Sequence, residues 1–160
     1  MGMTLPPFQR LVDDHWRDVA RLAAALAGPG DAEDVAQQAW LQALRAYPSL
    51  RHGRNLKSWL LTITARAATD THRARARRPA PVPRVPDHPA PRAEPSDDHL
   101  WKRVRALPER QRTAIALHYV LDLPHTEAAR VLGTTPAMSR RLVSDALATL
   151  RGGVLEEAGR

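Results

Sequence analysis

Seven of the chain's 14 prolines fall between Pro79 and Pro95, within the stretch RPAPVPRVPDHPAPRAEPSDD, and this run restricts the fold more than any other feature. Proline removes a backbone donor and fixes φ, so neither a helix interior nor a central strand propagates through it. The run has almost no apolar periodicity and reads as a semi-rigid tether, reaching about 3.1 Å per residue where it is polyproline-like. Its length argues against an ordered loop packed on one larger domain. The chain of 160 residues therefore divides into a first lobe at 1–78, a Pro-rich linker at 79–97 and a second lobe at 98–155. Lobes this short have marginal cores, so stabilisation by a partner is expected.

Both lobes read as helical, and the expected fold class is all-α: two small helical domains with no strand pattern. From Pro7 to Ala27, Phe8, Leu11, Val12, His15, Val19, Leu22 and Leu26 recur at spacings of three and four. Gly28-Pro29-Gly30 ends that run. Asp31 is placed as an N-cap, with Glu33 and Asp34 in a first turn where the helix dipole favours acid. The next helix carries Val35, Ala36, Ala39, Trp40, Ala43, Leu44 and Tyr47 on one face and ends at Pro48. A loop, Ser49 to Asn55, leads to a third helix with Leu56, Trp59, Leu60, Ile63 and Ala67, which turns basic through Arg66, His72, Arg73, Arg75, Arg77 and Arg78. Four helices are expected in the second lobe: Leu100 to Ala106, Arg110 to Leu121, His125 to Leu132 and Pro136 to Arg151.

Composition narrows the chemistry. With 24 basic against 17 acidic residues the net charge is +7, which makes a polyanion the first partner to consider. Lys57 and Lys102 are the only lysines, so nearly all of that charge is arginine, the side chain suited to forked contacts with phosphate and guanine. The absence of cysteine excludes disulfides, thiolate zinc sites and thiol redox chemistry, and fits a reducing cytosol. No window approaches the ~20 apolar residues that span a bilayer, and Met1 to Arg10 has no apolar leader core. A soluble intracellular protein, cytoplasmic and without membrane insertion, is expected. The seven histidines are scattered with no HExxH spacing, and no glycine-rich phosphate loop occurs, so neither an enzyme nor any cofactor or metal is expected.

The most informative segment is LPERQRTAIALHYVLDLPHTEAARVLGTTPAMSRRLVSDALATLR. A short helix, Thr126 to Leu132, ends at Gly133, which can take the positive φ of a helix stop. Thr135 is placed to cap the following helix and Pro136 takes its favoured first position. Small Ala129 permits a close crossing. This is the grammar of a helix-turn-helix, whose second helix offers its N-terminal side chains to the DNA major groove.

Leu107-Pro108-Glu109-Arg110-Gln111-Arg112, followed by an apolar helix and this hairpin, resembles region 4 of bacterial RNA polymerase sigma factors. Asp31-Ala32-Glu33-Asp34-Val35-Ala36-Gln37-Gln38-Ala39-Trp40 resembles the region 2 helix that docks on polymerase. Trp59-Leu60-Leu61-Thr62-Ile63 through Asp70, with its Arg-rich tail, is similar to the helix that handles the −10 element. The resemblance covers roughly residues 8–78 and 99–151 in family order, and points to the extracytoplasmic-function (ECF) group.

The resemblance implies a protein that binds core RNA polymerase, through the clamp helices of the largest subunit and the flap. It then recognises and melts −10 promoter DNA with the first lobe and reads −35 DNA with the second. An anti-sigma factor is the further partner the family allows. Asp31, Asp34, Gln37, Gln38 and Arg45 fall at the exposed polymerase-binding positions, with Val35, Trp40 and Leu44 expected in the core. Gln38 stands where the family usually has an acid. In the loop that captures a flipped base, His52, Arg54, Asn55 and Lys57 supply polar groups, joined by Arg66 and Arg73 along the helix; Trp59 is expected in the core. Ala65-Arg66 replaces the usual Arg-Asn. In the recognition helix Arg140 and Arg141 fall at −35 reading positions, with Thr135, Ala137, Ser139 and Ser144 as neighbours, while Asp145 and Leu147 replace basic residues usual further along. Two rivals remain: a stand-alone helix-turn-helix regulator, which leaves the first lobe unexplained, and a sigma-like interaction protein that reads no promoter.

Overall fold

The computed structural model describes residues 5–77 and 95–158, and among these residues the chain forms seven α-helices and no strand. The first lobe contains α1 (Phe8–Ala27), α2 (Ala32–Ala46) and α3 (Leu56–Arg77); the second contains α4 (Pro95–Arg105), α5 (Glu109–Ile115), α6 (His125–Leu132) and α7 (Pro136–Ala158).

The three helices of the first lobe pack on one another through the stripes the sequence predicts. Leu11, Val19, Leu22 and Leu26 of α1, Val35, Ala39 and Ala43 of α2, and Leu60, Leu61 and Ala67 of α3 are all buried. Alanines on α2 keep that helix close to its neighbours. Helix α1 stops at Gly28, whose φ of +81° disfavours a side chain; a Cβ there would also meet the Arg105 guanidinium at 3.2 Å. Helix α2 ends in a 3-10 turn, Tyr47–Ser49, where Tyr47 is buried against Phe8 at a ring separation of 5.3 Å and its hydroxyl donates to the Pro6 carbonyl.

Asp31 departs from its expected role as a side-chain cap. Its carboxylate makes no capping hydrogen bond and instead pairs with Arg75 of α3, while the Asp31 and Ala32 amides donate to the Gly28 carbonyl. The turn at Gly28 carries the start of α2 alongside the last turns of α3, where a guanidinium is a stronger partner than a neutral amide.

In the second lobe, Arg112 of the LPERQR motif is buried and donates from Nη1 to the Arg105 carbonyl at 2.9 Å, satisfying an orphan group at the end of α4. Burial lowers the Arg112 pKa below its ordinary value, opposed by nearby Glu109. Helix α5 runs on as a π-helical turn, Ala116–Val120, in which the Leu121 amide reaches back to the Ala116 carbonyl. Helix α7 continues past the expected end at Arg151: Arg103 donates to the Leu150 carbonyl and lies where a side chain at Gly153 would collide, so this glycine is accommodated within the helix.

Residues 79–94 of the expected tether lie outside the described residues, and Pro95 already opens α4, so the last three residues of the tether as read from sequence are helical. The lobes do not keep separate cores. Leu117, Leu121, Leu123, Ala128 and Val131 join the same buried cluster as the α1, α2 and α3 residues, and a smaller cluster of Val104, Leu107, Ile115 and Val143 lies within the second lobe. Helical periodicity identifies an apolar face but not which neighbour covers it.

Candidate functional site

Three surfaces carry the residues singled out from the sequence. The first is a groove of about 750 Å³ between α2 and α3. Asp34, Gln37, Gln38, Leu41 and Arg45 are spaced by three and four residues and form one stripe along its α2 wall, opposite Asp70, Thr71, Ala74 and Arg75. Asp34, Gln37, Gln38 and Arg45 are exposed, as expected. Asp31 lies at the end of the groove but is 8% exposed and held by Arg75, so in this conformation its carboxylate is committed within the chain.

Leu44, expected in the core, is 51% exposed, and Leu41 is 53% exposed. Val35, Ala39 and Ala43 fill the inward stripe of α2 and leave Leu44 on its flank. Two large apolar side chains thus stand beside a polar stripe, the composition of a surface that a partner covers. Leu41 was legible as the residue four beyond Gln37 and four before Arg45.

The second surface is the loop before α3. Leu50, His52, Arg54, Asn55, Leu56, Ser58, Trp59 and Thr62 line a hollow of about 310 Å³. Asn55 has a φ of +56°, a conformation asparagine tolerates, and its carbonyl accepts the Trp59 amide to start the helix. The loop is thereby folded back so that His52, Arg54 and Asn55 converge. Trp59 is half-buried, its ring 6.2 Å from that of Tyr47, and it also forms one wall of the hollow. Lys57 is not part of this constellation: its ammonium lies 3.8 Å from the Asp18 carboxylate on α1. Arg66 lies one turn beyond Thr62 at a neighbouring hollow, and Arg73 is paired with Glu109 at 3.3 Å. Arg130 of α6 also reaches the loop hollow, which sequence distance concealed.

The third surface is the helix-turn-helix of α6 and α7. Gly133 adopts φ +66° and ψ +39°, and its amide donates to the end of α6. Thr135 Oγ1 accepts the Met138 amide at 3.1 Å, the expected cap. Thr135, Ala137, Arg140, Arg141 and Ser144 are exposed over the first turns of α7. Ser139, expected beside them, is fully buried and hydrogen-bonded to His125 Nδ1 at 3.0 Å. It is a joint between the two helices, since position 139 faces α6 where 140 and 141 face outward. His125 stacks on His118 with ring centres 4.5 Å apart, and its pKa is lowered by desolvation, then by His118 and Arg140. Arg141 lies 3.9 Å from Asp145.

Among the described residues no cluster of His, Asp or Glu is arranged to hold a metal, and no helix is long and apolar enough to cross a membrane.

Comparison with known proteins covers both lobes. Residues 11–78 match the family model for sigma-70 region 2, and residues 98–150 match that for sigma-70 region 4. The chain is 33% identical over 148 residues to the ECF RNA polymerase sigma factor SigJ of Mycobacterium tuberculosis, covering 82% of this chain and 45% of SigJ. It is 30% identical over 134 residues to SigD of the same organism, covering 78% of this chain and 63% of SigD. The chain thus spans less than two thirds of either relative. In three dimensions it is similar to the sigma factor RpoE of Bartonella quintana, solved in complex with the anti-sigma factor NepR. That match has a TM-score of 0.70 at 25% identity and covers 91% of this chain and 94% of RpoE. The region 2 groove and loop, the region 4 helix-turn-helix and these matches lead to one conclusion: the chain belongs to the sigma-70 family, in its extracytoplasmic-function group.

Proposed function

We propose that the chain is a sigma factor that binds core RNA polymerase and directs promoter-specific initiation, with no catalytic step of its own. The first lobe docks on the clamp helices of the largest subunit through the groove, and recognises and melts −10 DNA with the loop hollow and the basic side of α3. The second lobe contacts the flap and reads −35 DNA with α7. The observation that carries this reading is the α2 stripe of Asp34, Gln37, Gln38, Leu41 and Arg45, four polar side chains around one exposed leucine, along an open groove. A helix laid there can bury the leucine and meet the polar groups, which suits helix-in-groove docking.

The hollow beside Trp59 supports the −10 assignment, because an unstacked base needs one flat wall and polar groups at its edge, here Trp59 with His52, Arg54 and Asn55. For −35 DNA the assigned side chains are Arg140 and Arg141, with Thr135, Ala137 and Ser144 around them. An anti-sigma factor, the class of partner found on RpoE, is proposed as a further partner.

The test is the double variant Asp34→Arg, Gln37→Ala. Both side chains are exposed, so helicity by circular dichroism should not change. Co-purification with core polymerase should be abolished. A folded double variant that co-purifies normally removes the groove from the interface. A second reading, a sigma-like interaction protein that reads no promoter, draws on the buried Ser139 and on the Arg141–Asp145 pair, both of which subtract from the −35 face. Run-off transcription that depends on the −35 sequence excludes it.

A further inference from the structure

Two histidines of the second lobe meet face to face beside the recognition helix. His118 of the π-helical turn and His125, the first residue of α6, stack with ring centres 4.5 Å apart and planes 14° from parallel. His118 Nδ1 lies 3.1 Å from the Leu123 carbonyl, which can only accept, so that nitrogen carries the hydrogen and Nε2 is left bare. His125 Nδ1 meets the Ser139 hydroxyl of α7 at 3.0 Å, one residue before Arg140. The imidazole pair thus joins the π-helical turn, α6 and α7 at one point.

The surroundings of this pair are positive. Loss of water around the ring, then His118 from the π-helical turn and Arg140 from α7, all oppose a proton on His125 and hold its pKa below the ordinary value. The nearest acids along the chain, Asp122 and Glu127, form no ion pair with it. The Ser139 hydroxyl can donate to a bare Nδ1 or accept from a protonated one, so the joint between α6 and α7 holds in either charge state. What the cluster lacks is an anion. In a helix-turn-helix the first helix crosses the DNA backbone while the second enters the major groove, which brings phosphates to α6.

We propose that His125 is a proton-linked phosphate contact, neutral in the free chain and protonated when a backbone phosphate of −35 DNA arrives beside it and Arg140. This rests on the assignment of α7 to −35 DNA made above. Phosphate supplies the missing negative charge, and a charge-assisted hydrogen bond to it favours the imidazolium. Linkage is reciprocal, so the factor by which DNA raises proton affinity is the factor by which the proton raises DNA affinity. His118 limits the pair to one charge, since a second imidazolium would face the first across the stack.

The test uses the full chain bound to core RNA polymerase. Its probe is a fluorescent duplex that carries the −35 region of one of its promoters and ends upstream of −10. Dissociation constants are measured from about pH 8 to about pH 6 at constant ionic strength for the parent, His125→Gln and His118→Phe. Ratios of variant to parent remove the pH response of polymerase itself. The parent's advantage over His125→Gln should grow as pH falls, by up to about tenfold per unit for one proton. His118→Phe keeps a flat ring against His125 but removes the competing basic nitrogen, so its rise in affinity should begin at a higher pH. A ratio for His125→Gln that is flat with pH overturns the proposal, and so does an onset that His118→Phe leaves unmoved. A pH-dependent ratio confined to one −35 sequence overturns it too, because that would put the imidazole on a base. If the ratio is flat while Arg140→Ala weakens binding, only the histidine contact is wrong. If neither Arg140→Ala nor Arg141→Ala changes binding, the −35 assignment of α7 has itself failed.

Discussion

Arg140 and Arg141 lie on the exposed face of α7, and the two guanidiniums differ in setting. Arg141 lies 3.9 Å from Asp145, whereas Arg140 lies close enough to His125 to lower the pKa of that ring. An exposed i,i+4 pair is worth about 0.3–0.5 kcal/mol, too little to keep Arg141 from a guanine. Arg140→Ala and Arg141→Ala should each cost roughly 1–3 kcal/mol of discrimination at one −35 base pair, measured as transcription across promoter variants. A uniform loss across all variants, with a salt slope lower by about one, would assign them to phosphate. His125 gives a pH prediction. Its folded pKa lies below the ordinary 6.5, so the unfolded chain takes up the proton first as pH falls. The stability contributed by neutral His125 is present above about pH 6.5 and lost below it. Melting temperatures at pH 7.5 and 5.5 should differ less in His125→Gln than in the parent chain; an unchanged difference would locate the pH dependence elsewhere.

Between α6 and α7 the turn was legible in full because its chemistry is local: a residue free to adopt positive φ suits position 133, and a short side-chain oxygen at 135 reaches the amide of 138. Gly133→Ala meets no atom within 4 Å of the added methyl, so its cost is backbone strain alone, about 1–2 kcal/mol in denaturant titration. Thr135→Ala should cost about 0.5–2 kcal/mol. A neutral Gly133→Ala would mean that this turn is not left-handed in solution. What the sequence concealed at this scale was set by distant partners. Asp31 looked like a cap until Arg75, 44 residues on, took its carboxylate. Leu44 and Ser139 changed sides because apolar spacing cannot assign the flanks of a helix whose central stripe is small, as it is at Ala39, Ala43 and Ala146. Lys57 was drawn from the loop by Asp18 across the α1 boundary.

At the scale of the molecule, the order of the two lobes and their helical class could be read from two motifs and a proline-rich stretch. Their shared core could not, because contacts such as Leu117 on α1 or Glu109 on Arg73 join segments with no common local pattern. The reading of one chain as two promoter-binding lobes makes a prediction about the tether as well. Replacing residues 80–94, which lie outside the described residues, by a Gly/Ser linker of equal length should leave promoter choice intact with some loss of activity, as expected if the prolines read from the sequence serve as a spacer. A changed set of promoters would make the tether a reader. The central claim, that this chain tells polymerase where to start, is tested most directly by adding it to core RNA polymerase on genomic DNA and sequencing the 5′ ends of the transcripts. The account predicts a small, reproducible set of new starts that share −10 and −35 sequences and vanish with Asp34→Arg, Gln37→Ala; starts indistinguishable from those of core polymerase alone would contradict it.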